Sequence, residues 1–198
     1  MRGAILGFIA TALLSSSTQA QAPAGVPVAE IAPAPDSKIT FNVKASVAID
    51  GTFDKWNATL KFASTDPTTG VLDIKVEAAS VNTGSGMKND KLKDKDFFDV
   101  KNDPYITFHS DKAVQTGPNT FDVPGTFTIR GVSKPETLVL TVSGEGTGSG
   151  TIKGAMAFDR KDYGMNHGIP FIRIADRVEV DVDLKVKRTG GPPLSFKH

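Results

Sequence analysis

The sequence predicts an all-β protein, an antiparallel barrel of eight strands carrying one short helical insertion. Three observations lead there. Apolar residues recur at every second position through most of the chain, turn-forming clusters separate these runs at hairpin distances, and the inward set is unusually aromatic. A sandwich would share the first two features. Runs of about ten residues are long for a sandwich of this size and suit a barrel that surrounds a lumen.

In chain order, Met1 to Ala20 combines a basic start at Arg2, an apolar run from Ala4 to Leu14 and a small, polar close ending in Ala20. That run fits a signal-peptide core and falls short of the roughly twenty residues that span a bilayer. Cleavage after Ala20 is expected, leaving a periplasmic or secreted protein with no integral membrane span. Residues 21–36 are rich in Pro and Ala and read as an extended linker. The domain is expected from Ser37 to Arg188, followed by a flexible tail over 189–198.

Alternation begins at Ile39 and runs through Phe41, Val43, Ala45 and Val47 to Ile49, the pattern of one long strand with a buried and a wet face. Gly51 permits a turn, after which Trp56, Ala58, Leu60 and Phe62 repeat the pattern. A turn cluster at Thr65 to Gly70 leads to Leu72, Ile74, Val76 and Ala78. The segment Met87 to Ser110 interrupts the ladder. It holds a charged run with helical character over Met87 to Asp96, the pair Phe97-Phe98, a break at Pro104, and a strand through Ile106 and Phe108. Further alternation follows at Phe121 to Ile129, Leu138 to Val142, Met156 to Phe158, and most regularly from Val178 to Val186.

Composition narrows the functions available. Of 198 residues none is Cys, which excludes a disulfide framework, a thiolate nucleophile, Cys-ligated metals and lipid attachment to cysteine. Without residues 1–20 the chain carries 22 basic and 22 acidic side chains, a balance that gives no support for nucleic acid as a partner. His109, His167 and His198 have no metal-site spacing, so no metal is expected. Gly144 to Gly150 lacks the strand-to-helix setting of a phosphate loop and reads as a hairpin connection. No nucleophile elbow or ordered Ser-His-Asp set stands out, so neither enzymatic activity nor a cofactor is expected.

A resemblance becomes specific in the interrupting segment. Val81-Asn82-Thr83-Gly84, Lys88-Asn89-Asp90-Lys91-Leu92-Lys93, Asp96-Phe97-Phe98-Asp99-Val100 and Asp103-Pro104-Tyr105-Ile106-Thr107-Phe108 resemble the YceI-like family of secreted bacterial proteins. The likeness continues through Val123-Pro124-Gly125-Thr126-Phe127-Thr128-Ile129-Arg130-Gly131 and Phe158-Asp159-Arg160-Lys161-Asp162-Tyr163-Gly164-Met165. It implies a lipocalin-like barrel with a polyisoprenoid chain in its lumen. Lys88 stands where the family often has arginine, which keeps the charge without the bidentate fork.

The expected lumen set is Phe41, Trp56, Phe97, Phe98, Phe108, Phe127, Met156 and Phe158. Lys88, Lys91 and Arg160 are the expected head-group cations. The ligand expected is an isoprenoid or quinone-like lipid, carried without chemistry. The alternative is an exported interaction domain whose barrel is packed solid. Whether two barrels associate as a homodimer is left open by the sequence.

Overall fold

The computed structural model describes residues 29–46, 49–144, 146–168 and 172–197. The expected signal segment lies outside them. The strands are β1 (Ala29–Pro33), β2 (Lys38–Ala45), β3 (Ile49–Phe53), β4 (Trp56–Phe62), β5 (Gly70–Glu77), β6 (Val81–Asn82), β7 (Tyr105–Ser110) and β8 (Val114–Gly117). They continue as β9 (Thr120–Ile129), β10 (Val132–Ser143), β11 (Ser149–Asp159) and β12 (Ile174–Gly190), and the one α-helix among the described residues, α1 (Gly86–Lys93), lies between β6 and β7. Every ladder is antiparallel, and the order β1-β4-β5-β7-β9-β10-β11-β12 closes because β12 also pairs with β1. The result is an eight-stranded barrel.

Four of its eight wall positions are interrupted strands. Along β12, β1 covers the end near Gly190 and β2 the stretch Val178 to Asp183. In the same way β4 is continued by β3, β5 by β6, and β7 by β8. The stretches between are short and irregular, such as Asp54-Lys55 and the 3-10 turn Ala78–Ser80. Each break turns the wall while keeping the inward set inward, so alternation survives across it.

Three expectations change. The run Ile39 to Ile49 is a hairpin, with Val43 opposite Ile49 and Thr40 opposite Thr52. Alternation continues through a reversal, so period two by itself cannot locate one. Gly51, expected to permit a turn or bulge, lies within β3 with the Phe41 ring over it; a Cβ there would come 2.6 Å from that ring. Second, the expected linker contains β1, whose Ile31 lies opposite both Leu60 and Arg188. Its proline content hid a strand that completes the barrel, since Pro33 ends β1 instead of interrupting it. Third, the expected flexible tail extends β12 to Gly190 and then packs across one end of the barrel.

One turn follows directly from sequence chemistry. Arg130 and Gly131 both have positive φ, +54° and +68°, and form the two-residue link that the twist of β9 and β10 favours. It lies at the end of the barrel that also carries α1 and the connection from β11 to β12. The opposite end carries the β4–β5 and β10–β11 connections. Below, the first is the upper end and the second the lower.

Candidate functional site: an apolar lumen along the barrel axis

Inward residues of the strands form one core running the length of the barrel. Within it three apolar cavities follow one another. The upper, about 90 Å³, is lined by Phe41, Phe97, Phe98, Phe108, Phe127, Met156 and Phe158 among others, with Thr107 and Arg160 the polar residues in its wall. A neck of about 20 Å³ lies between Leu72, Ile74, Leu138, Leu140, Ile152 and Val182. Leu72, Leu140 and Ile152 also line the lower cavity, of about 110 Å³, where Ile31, Phe62 and Phe121 join them. Ile74, Leu138 and Val182 are shared with the upper one. The neck holds about one water-sized sphere and each chamber less than the roughly 150 Å³ that admits benzene, so a long chain must move lining side chains aside. Met156, unbranched and flexible, is suited to that.

The upper end is closed by the interrupting segment. No ladder joins β6 to β7 among the described residues, and residues 83–104 fill the gap. A short irregular stretch after α1 turns Phe97 and Phe98 inward, leaving them 4% and 8% exposed. The Phe98 ring lies 6.3 Å from Phe41 and 5.9 Å from Phe53, centroid to centroid. Opposite, Phe127, Phe158 and Tyr163 stack in a triangle with centroids 5.0 to 5.5 Å apart. The Tyr163 hydroxyl donates to Glu136 at 3.0 Å. Burial first, then that bond and the charge of Glu136, push the phenol pKa far above its usual value.

The charged rim over this end is largely self-paired. Lys91 Nζ stands 3.0 Å from Asp96 and 3.5 Å from Asp94, and the Asp96 carboxylate also meets His167 Nδ1 at 3.7 Å. The Lys91 hydrogen bond holds the Asp96 carboxyl below its usual range, and the same bond raises Lys91. Lys91 lies 5.6 Å from the centre of the Phe97 ring, so it is at the mouth. Lys88 is half-buried on α1, one turn earlier.

Arg160, expected as a head-group cation, is 7% exposed in the wall of the upper chamber. Its guanidinium donates to the carbonyls of Ala175 at 3.1 Å, His167 at 2.9 Å and Met165, and to Asp176 Oδ1 at 3.1 Å. It ties the loop after the 3-10 turn Arg160–Tyr163 to the start of β12, closing the rim opposite α1. Sequence reasoning could not see this, because the carbonyls it satisfies are backbone groups with no residue signature.

Trp56 also lies elsewhere than in the chambers. Between β1 and β2 on one side and β3 and β4 on the other, pairing lapses from Ala34 to Ser37 and leaves an opening of about 650 Å³, lined by Pro33, Pro35, Phe53 and Trp56. Ser37 Oγ there bonds both the carbonyl and the N–H of Lys185, replacing ladder bonds. The lower chamber was missed at the sequence level. Phe62 and Phe121 sit in the inward registers of their strands, and following alternation to the strand ends finds them.

Residues 31–186 match the YceI-like domain. The chain belongs to that family. A UPF0312 protein of Pseudomonas savastanoi pv. phaseolicola is 35% identical over 98 residues, 50% of this chain and 51% of the relative, so the chain spans about half the length of the curated relatives it matches. BcnA of Burkholderia cenocepacia superposes with a TM-score of 0.68 at 29% identity, covering 76% of this chain and 95% of that one. A polyisoprenoid binding domain from Saccharophagus degradans, implicated in plant cell wall breakdown, superposes at 0.61 with 16% identity over 82% of this chain and 99% of its own. At that identity the likeness concerns the fold. No helix among the described residues is long and apolar enough to cross a membrane.

Proposed function

We propose that this YceI-like protein is an exported carrier that sequesters a long isoprenoid or similar amphiphilic lipid, without chemistry, in its barrel lumen. The observation that carries the reading is the succession of predominantly apolar chambers along the axis, with Thr107 and Arg160 in the wall of the upper one and Ser143, Ser149 and Arg188 in that of the lower. A hydrocarbon chain placed there gains roughly 0.8 kcal/mol per methylene-sized group buried and leaves few protein polar groups unpaired. The polyisoprenoid-binding neighbour of the same fold supports an isoprenoid over other apolar chains. A quinone-like lipid presents the same kind of tail.

The polar end of the ligand sits at the upper mouth, where Lys91 stands by the Phe97 ring and Lys88 lies one turn earlier on α1. Arg160 acts there by holding the rim together and offers at most its remaining Nη2 hydrogen to a head group. Export to the periplasm or exterior rests on the pattern of residues 1–20. Fractionation of its own host, with the mature N-terminus sequenced, tests that part.

The competing reading is an exported interaction domain with a solid interior, and the 20 Å³ neck favours it. Native mass spectrometry of protein purified from its own host separates the two. A co-purifying prenyl lipid, or uptake of a polyprenol by delipidated protein, is expected. Repeated recovery of an empty protein that takes up no polyprenol sinks the carrier reading. A Gly154→Val variant adds a control, because a Cβ at Gly154 would meet Leu140, Leu138 and Val182 within 3.3 Å and fill the neck. Uptake of long prenols should then fall while short ones still enter.

A further inference from the structure

The lower end of the lumen is lined in part by residues beyond the family's matched domain, which ends at residue 186. β12 runs to Gly190, and Gly191 then adopts φ +77°, which reverses the chain. Pro192 and Pro193 follow and hold the backbone extended. The segment then docks at two points. Ser195 N–H donates to the carbonyl of Thr65 at 2.8 Å, and Gln115 Nε2 donates to the carbonyl of Lys197 at 2.8 Å.

Those docking points fix the path. Thr65 lies in the β4–β5 connection and Gln115 on β8, which continues the wall position of β7. Going round the wall from β12 through β1, β4 and β5, that position is diametrically opposite β12. A segment leaving β12 and landing on β8 crosses the mouth. Pro193, Leu194 and Phe196 accordingly line the lower cavity, and the Phe196 ring meets Phe121 edge-on at 6.0 Å.

From this geometry we infer that the C-terminal segment is the floor of the lumen and sets the length of chain the barrel accepts, with Phe196 as the stop. The inference rests on the carrier reading and adds to it which chains are carried. With the polar end at the upper rim, the distal end of a prenyl chain passes the neck and arrives among Phe62, Phe121 and Phe196. Further apolar length then has to displace the floor or stay in water.

The test is a competition read by native mass spectrometry. Delipidated protein is offered farnesol, geranylgeraniol and solanesol together from mixed micelles, and the ratio of solanesol to geranylgeraniol bound is recorded. A ratio cancels any loss of folded protein. Phe196→Ala should raise it by about tenfold, the effect of admitting roughly two more buried methylene-sized groups. A chain ending at Gly190 should raise it at least as far, and Leu194→Trp should lower it. An unchanged ratio in all three variants, with wild type binding prenols, overturns the floor and leaves the carrier standing. Failure of wild type to bind any of the three prenols overturns both.

Discussion

Phe98 shows how a single side chain joins stability to binding. It is 8% exposed, wedged between Phe41 and Phe53, and it closes the upper chamber. Phe98→Ala should cost about 3–5 kcal/mol in urea unfolding, the usual range for an aromatic removed from a packed core. In prenol uptake, replacing Phe97 and Phe98 together should weaken binding more than replacing Lys91 and Lys93 together. The reverse order would mean that the head group, not the tail, dominates affinity. Tyr163 allows a test by pH. Its folded-state pKa is raised, so its contribution is complete below the ordinary phenol value of about 10 and is lost as pH climbs through the folded value. Unfolding midpoints should drop on the alkaline side, and Tyr163→Phe, which has no proton to lose, should flatten that drop.

At the level of elements, α1 and the stretch after it act as a cap held by charge. Asp96 joins Lys91 on its own side to His167 on the loop that Arg160 anchors. Asp96 titrates below its usual value, so this contribution is present above the ordinary aspartate range and is lost as pH falls through the lower folded value. Lys91, raised by the same bond, keeps its charge through neutral pH and loses it only as pH rises past the folded value. Hydrogen-exchange protection at residues 91–98, corrected for the intrinsic rate, should fall below about pH 4, where aspartates protonate, and Asp96→Asn should show the lower protection already at neutral pH. β1 makes the complementary case. A chain lacking residues 1–36 loses the strand that joins β12 to β4 and should melt well below a chain lacking residues 1–20. Equal melting temperatures would show that the barrel does not need β1.

On the scale of the whole molecule, a ligand that binds only the folded barrel stabilises it in proportion to the logarithm of its concentration over Kd. If affinity follows buried chain length, melting temperatures at one fixed prenol concentration should rise from farnesol to geranylgeraniol. No rise with either would speak for the solid interior. Phe41, Phe108, Phe127, Met156 and Phe158 meet in the upper chamber because alternation carries each of them inward, and the irregular stretch after α1 adds Phe97 and Phe98 from above. The same alternation left Trp56 at a parted seam, because the side opening depends on where two strands stop pairing.

The sequence by itself determined the class of fold, the inward register of the long strands, the place of the helical insertion and the family. These are local: period two, turn chemistry and a composition without cysteine are written in neighbouring residues. Tertiary structure alone decided that a proline-rich stretch supplies β1, that Ile39 to Ile49 folds back on itself, that Arg160 satisfies backbone carbonyls, and that Phe196 lines the lower cavity. Each depends on a partner far away in sequence, and no residue declares in advance which distant backbone edge or ring it will meet.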